Sequence, residues 1–193
     1  SDIAYFDGTC TNCDVTIDQN ITLQGLTMDA TYTGTITHTT HTITVGNLGT
    51  EDGTTGTWSQ AGGTFLGGSG AINMRRFFLS GGSFQSTSAR MLVRYNADGT
   101  TATLLNYSGG SFLHNNGEVE LYLSRRHSGI SSNGRAYFDG SPYMTFYDLT
   151  IVAGDNVKGG DFDMRGNANI ERHFSVSGQY YKGLSEMGWR TEM

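Results

Sequence analysis

Apolar residues alternate with hydroxyl-bearing ones from the start of the chain. Val15-Thr-Ile17, Ile21-Thr-Leu-Gln-Gly-Leu-Thr-Met28, Gly34-Thr-Ile-Thr37 and His41-Thr-Ile-Thr-Val45 carry apolar side chains at every second position. A period of two predicts β-strands with one face turned inward. Thr, Val and Ile suit such strands because a branched Cβ is stiff on a pleated surface. Seventeen threonines precede Trp58. Short alternating stretches and glycine turns continue beyond it, so this shift marks no domain boundary. Pairs such as Gly62-Gly63, Gly67-Gly68 and Gly109-Gly110 interrupt any helical period within a turn or two, and glycine is a poor interior helix residue.

A longer repeat overlies the alternation. Ala61-Gly-Gly-Thr-Phe65, Ser80-Gly-Gly-Ser-Phe84 and Ser108-Gly-Gly-Ser-Phe112 share one phrase, spaced by 19 and then 28 residues. Each phrase leads into a new alternating stretch: Ala71-Ile-Asn-Met74, Met91-Leu-Val-Arg-Tyr95 and Glu118-Val-Glu-Leu-Tyr-Leu123. A looser fourth copy is Lys158-Gly-Gly-Asp-Phe162 leading to Ala168-Asn-Ile170, and Phe174-Ser-Val-Ser-Gly178 is a partial echo. Repeats of this size, which cannot bury an apolar face alone, point to a stacked array. The expected fold is all-β, a parallel β-helix (β-solenoid) over residues 1–178. At roughly 20–25 residues per coil it would hold about eight or nine coils and, at about 4.8 Å per coil, measure roughly 40 Å. Expected interior positions run from Ile17, Leu26, Ile36 and Ile43 through Phe65, Phe84, Leu92 and Phe112 to Leu149, Phe162, Phe174 and Val176. A two-sheet β-sandwich is the alternative, but its strands need not resemble one another.

Composition narrows the function classes. Of 193 residues, 28 are Gly and one is Pro, with ten Phe, ten Tyr and two Trp. A disordered segment would be charged and poor in aromatics, whereas charged residues make up only 16% here. The net charge of −6 gives no basic footprint for nucleic acid, and no apolar run reaches the roughly 18 residues of a spanning helix. Arg75-Arg76 and Arg125-Arg126 are the only adjacent basic pairs; each reads as a solvated corner in preference to an anion site. No secretory signal is visible, and the opening residues already read as structure, so the chain is expected to be mature or trimmed.

Cys10 and Cys13 are the only cysteines. Two thiols are half a zinc site. His38 and His41 are the only nearby candidates to complete it, and a strand would turn them to opposite faces. The expectation is a short Cys10–Cys13 disulfide pinning the first turn in an oxidising compartment, with no metal or other cofactor.

The opening Ser1-Asp-Ile-Ala-Tyr-Phe-Asp-Gly-Thr-Cys-Thr-Asn-Cys-Asp-Val-Thr-Ile-Asp-Gln-Asn-Ile-Thr-Leu23 resembles repeat regions of large secreted bacterial surface proteins. The Gly-Gly-Ser-Phe phrases do so too. Phe146-Tyr-Asp-Leu-Thr-Ile151 is similar to a Phe-x-Asn-Leu-Thr-Ile step of those regions, with Asp148 in place of Asn. The resemblance covers most of residues 1–178. It implies a right-handed parallel β-helix of the kind found in adhesins, autotransporter-like passengers and filamentous surface proteins. It carries no shared catalytic motif. Residues 179–193 depart from the pattern. Their Tyr180, Tyr181, Met187 and Trp189 suit a cap, a linker or a contact with a neighbour.

Candidate chemistry is sparse. Polysaccharide-cleaving β-helices would need acids and bases on one face. The available groups are Asp139, Asp161, Asp163, Arg165, Glu171, Arg172 and His173. Asp161 and Asp163 would share a strand face, but two carboxylates are a thin calcium site. Glu171-Arg172-His173 would alternate faces and could not act together without a turn. Tyr107, Tyr122, Tyr137, Tyr143 and Tyr147 could stack on sugars. Thr35-Ile-Thr37 and Thr42-Ile-Thr44 have the form of ice-binding pairs, but the pattern stops before mid-chain, so they read as a β-branched ladder. Asn20-Ile-Thr22 and Asn106-Tyr-Ser108 fit the N-glycosylation pattern. The sequence thus predicts a non-enzymatic, extracellular or cell-surface structural solenoid. It would be a subunit or segment of a fibre or adhesin and could assemble head to tail. The alternatives are a carbohydrate-binding or polysaccharide-degrading module and a phage tail-fibre segment. No nucleic-acid partner is expected.

Overall fold

A computed structural model of the chain describes residues 2–9, 13–48, 56–96, 102–124, 135–140, 143–153, 161–164 and 167–178. Every described regular element is a β-strand, and every strand pairing is parallel. Three sheets share the strands in rotation. Sheet A stacks β1 (Ile3–Phe6), β4 (Gly25–Met28), β7 (Thr57–Gln60), β10 (Arg76–Leu79), β13 (Ala102–Tyr107), β16 (Arg135–Gly140) and β18 (Asp161–Met164). Sheet B stacks β2 (Val15–Ile17), β5 (Thr35–His38), β8 (Thr64–Leu66), β11 (Ser83–Gln85) and β14 (Ser111–Leu113). Sheet C stacks β3 (Ile21–Leu23), β6 (Ile43–Val45), β9 (Ile72–Met74), β12 (Arg90–Asn96), β15 (Glu118–Ser124), β17 (Met144–Ala153) and β19 (Ala168–Gly178). The chain passes A to B to C, then climbs one level. A sandwich of antiparallel sheets cannot give this order.

The repeated phrase is one corner of that circuit. Phe65, Phe84 and Phe112 are Cα partners in β8, β11 and β14. Their rings stack at 5.0 Å and 5.8 Å between centroids. The second glycine of each phrase has positive φ: 63° at Gly63, 70° at Gly82 and 79° at Gly110. A Cβ on Gly82 would lie 2.4 Å from the Gly63 carbonyl oxygen. The corner therefore needs glycine for conformation and for the close stacking of levels. The two lowest levels turn this corner differently. In Asp7-Gly-Thr9 and Asp29-Ala-Thr31 the carboxylate accepts from the backbone N–H and the hydroxyl of the Thr two residues on, an Asx turn.

Inward rows run up the stack. In sheet C, Ile21, Ile43, Ile72, Met91, Val119, Leu149 and Phe174 lie in register. Sheet A supplies Leu26, Trp58, Phe77 and Leu105. Trp58 sets its edge on Phe65 and Phe84 at 4.7 Å and 5.4 Å. Most expected core residues are buried here, and Met28, Tyr32, Trp58, Met74, Phe77, Leu79, Tyr95 and Leu104 join them. At the corner between sheets B and C, Thr87 donates to the Gly70 carbonyl at 2.5 Å, and the Asn115 side chain donates to the Gly67 carbonyl at 3.0 Å.

Five expectations need correction. Phe174 lies on an inward row but is 41% exposed, because β19 ends the described stack of sheet C and no described strand covers it. Leu92, although buried, belongs to the outward row of Thr44, Asn73 and Glu120. Phe162 does not continue the Phe65–Phe84–Phe112 column: it lies in β18, opposite Ala136 of sheet A, and among the described residues sheet B has no strand above β14. Arg75 is no solvated corner; it is 2% exposed. His38 and His41 do not share one strand: His38 ends β5 and His41 precedes β6. His38 is buried and its Nε2 lies 2.5 Å from the His41 carbonyl oxygen. Arg125, Arg126, Arg165, Cys10, Tyr180, Tyr181, Met187 and Trp189 lie outside the described residues.

Candidate functional site

A polar constellation lies on the outer face of sheet C, and a slip in strand register builds it. Phe146 pairs with Ile170 and Asp148 with His173. Glu171 and Arg172 of β19 therefore both stand opposite Tyr147. This is a β-bulge, which re-aims side chains that strict alternation would send to opposite faces. Sequence alternation kept Glu171, Arg172 and His173 apart; all three are exposed, and the first two reach groups on lower levels.

Arg172 donates from Nε to Asp148 at 2.8 Å, and its Nη2 also contacts that carboxylate. Its guanidinium carbon lies 4.5 Å from the Tyr147 ring centroid. The bond from Arg172 holds the Asp148 carboxyl below its ordinary range, and the nearby His173 adds to this. Asp148 in turn raises the Arg172 pKa. His114 sits in the turn between β14 and β15. Its ring stacks on Tyr147 at 5.5 Å, and its Nε2 is 3.3 Å from Glu171. The Asn116 N–H donates to His114 Nδ1 at 3.0 Å, which puts the proton of the neutral ring on Nε2, facing the carboxylate. Asn115 and Asn116 hold this turn with φ of 50° and 57°, a conformation Asn tolerates better than most residues.

Lower on the same face, Arg90 pairs with Glu120 at 2.8 Å and the Thr150 hydroxyl donates to Glu118 at 2.6 Å. Glu118, Glu120, Asp148 and Glu171 thus each have a hydroxyl, guanidinium or imidazole partner. These bonds tie neighbouring levels of sheet C together. His114, Tyr147 and Asp148 were not grouped with Glu171 and Arg172 in the sequence, because nothing in one strand announces a slip against its neighbour.

The other candidates separate. Asp139, Asp161 and Asp163 fall on β16 and β18 of sheet A, away from the Glu171–Arg172–His173 run on sheet C. Asp161 and Asp163 occupy alternate positions of one strand, as expected. Tyr137 lies on β16. Tyr107 is a core residue whose hydroxyl donates to the Gly110 carbonyl at 2.9 Å, so it is no sugar platform. Tyr122 and Tyr147 share the outer face of sheet C, and Tyr143 is 68% exposed. Asn20 is exposed, and its Oδ1 accepts from the Thr42 N–H at 2.8 Å; Asn106 is half-buried on β13. The Thr-x-Thr pairs divide between β5 and the start of β6.

His38 cannot serve a metal in this fold. Its Nε2 donates to the His41 carbonyl, and its Nδ1 accepts from the Gly68 N–H at 3.3 Å. Burial pushes its pKa down. Cys13 is not a free thiol. Among the described residues no three His, Cys, Asp or Glu side chains cluster as metal ligands, and no helix is long and apolar enough to cross a membrane. No protein-family model, curated protein or solved structure matches the chain.

Proposed function

We propose that this chain is a structural β-solenoid, a subunit or segment of an extracellular fibre or cell-surface adhesin. The supporting observation is the stack itself. Its three parallel sheets carry one core from β1 to β19, and each sheet ends on a strand paired on one side only among the described residues. Among the described residues the inward rows end with Ile21 and Leu23 half-buried at one side and Val176 half-buried at the other. Such edges invite pairing with another chain, and a head-to-tail contact that does not close gives a filament. The coil is right-handed on this reading, as nearly all parallel crossover connections are, and Cys10–Cys13 closes its first turn as a disulfide. Negative-stain microscopy and light scattering at rising concentration test the proposal. Filaments of constant width, or mass growing in whole-chain steps, would support it. A monodisperse monomer at every concentration would contradict assembly.

A second reading has its own observation. Tyr122 and Tyr147 share the outer face of sheet C with Glu118, Glu120 and Asp148, which is the kind of flank a carbohydrate-binding module would use. A glycan array with no bound sugars would remove this reading.

A further inference from the structure

Two stretches fit the N-glycosylation acceptor pattern, Asn20-Ile-Thr22 and Asn106-Tyr-Ser108, and the fold treats them differently. Asn106 lies within β13 and is paired on both sides, with Phe78 on one level and Asp139 on the next. It is half-buried, and Leu104, two residues before it, is fully buried. An enzyme that must seat Asn and its flanking residues would have to open sheet A from the middle. Asn20 instead closes the short connection from β2 to β3. β3 is three residues long and, among the described residues, is paired only with β6. A short strand held on one side, with few buried neighbours, opens at lower cost than a central one.

The side chains around Asn20 suit the reaction. Asp18, Gln19, Asn20 and Thr22 are all exposed. Ile21 turns inward beside Ile43, and Thr22 stands outward beside Thr44. The Asn20 Oδ1 accepts from the Thr42 N–H at 2.8 Å. Only the amide oxygen can face a backbone N–H, so this bond fixes the amide flip and turns Nδ2, the atom that takes a sugar, the other way. The bond also survives modification, because the oxygen is not the reacting atom. One more residue is in place. Asp18 stands two positions before Asn20. Bacterial transferases of this class read an acidic side chain there, besides the hydroxyl two positions after the Asn. Asn106 has the apolar Leu104 at the corresponding position.

We infer that Asn20 is an N-glycosylation acceptor, read through Asp18 and Thr22, and that Asn106 is not. The donor class is an oligosaccharide carried on a polyprenyl pyrophosphate. Nδ2 forms a bond to C1 of the first sugar, and the bond from C1 to the pyrophosphate oxygen breaks. Nδ2 gives up one proton, and the lipid pyrophosphate leaves. Transfer in the cell rests on the extracellular reading proposed above; the acceptor geometry does not.

The test is to incubate the purified, folded chain with a purified bacterial oligosaccharyltransferase and its lipid-linked oligosaccharide, beside a short acceptor peptide as control. Intact mass and peptide mapping read the product. The expected result is a single added oligosaccharide, on Asn20. Asn20→Gln and Thr22→Val should each abolish transfer. Thr22→Val retains the Asn20 bond to Thr42, so it keeps the test decisive if Asn20→Gln unfolds. Asp18→Asn should slow transfer about tenfold or more, the scale of a lost bond to a charged group. Asn106→Gln should change nothing. Circular dichroism confirms that each variant is folded. An unmodified chain beside a modified control peptide overturns the proposal, as does transfer to Asn106 at the rate of Asn20, or an unchanged rate in Asp18→Asn. The purified reaction needs no export and no neighbouring chain. A chain that assembles but takes no sugar therefore defeats this proposal alone, and one that takes sugar but never assembles defeats only the filament reading.

Discussion

Gly82 and Phe84 divide the work of one corner between backbone and side chain. Gly82 takes a φ of 70° with a carbonyl where a Cβ would stand. Gly82→Ala should cost about 1–2 kcal/mol in conformation alone, with the backbone clash added. Phe84 is fully buried between Phe65 and Phe112. Phe84→Ala should therefore cost about 3–5 kcal/mol, readable as a lower urea midpoint. A loss below about 1 kcal/mol would mean that the ring column contributes little. His38 gives the pH prediction. Burial depresses its folded pKa, so the unfolded chain takes up the proton first. Its contribution is complete above the unfolded pKa of about 6.5 and is lost as pH falls below that value. The urea midpoint should drop between neutral and mildly acidic pH, and His38→Leu should reduce that drop. An unchanged drop in the variant would place its origin elsewhere.

At the scale of the strand, the Gly-Gly-[Thr/Ser]-Phe phrase was legible because each copy fills the same corner of sheet B. Phe65, Phe84 and Phe112, which close the three copies, are Cα partners. Sheet A was harder to read. Its inward row of Leu26, Trp58, Phe77 and Leu105 changes residue type at each level, so no phrase repeats. The bulge was invisible for a different reason. It is a relation between Tyr147 and residues Glu171 and Arg172 of another strand, and period-two reading of either strand alone separates those two side chains. Arg75 was misread because a charged pair between alternating stretches looks like a turn. The bulge makes a prediction at this scale. Arg172→Met should raise the Asp148 pKa toward its ordinary value, followed by carboxyl NMR, because the Arg172 bond is the largest cause of its depression. An unmoved Asp148 titration would break the proposed geometry. As Arg172 is solvent-exposed, global stability should change little.

Across the whole molecule, the sheets are unequal. Among the described residues, sheets A and C have seven strands and sheet B has five. Above β14 the described circuit has an A strand and a C strand but no B strand. The looser copy of the phrase ends at Phe162 on β18 of sheet A. The coils also lengthen: partners are 19 residues apart from Phe65 to Phe84 but 33 apart from Leu105 to Phe138. The spacing between levels is therefore not a uniform 20–25 residues. Function was less legible than fold, because a solenoid's sequence is spent on stacking and its polar outer face follows no period. Residues distant in sequence stand one above another on one parallel sheet. The most direct measurement is a pulsed electron-resonance distance between labels at positions 16 and 113. Thr16, Thr37, Leu66, Gln85 and Leu113 form one outward row of sheet B, and both end members are exposed. Four strand spacings put their Cα atoms about 19 Å apart. A narrow distribution near that value, widened only by the label linkers, is the expected result. A broad distribution, or one centred at about twice that distance, would contradict the stacked solenoid.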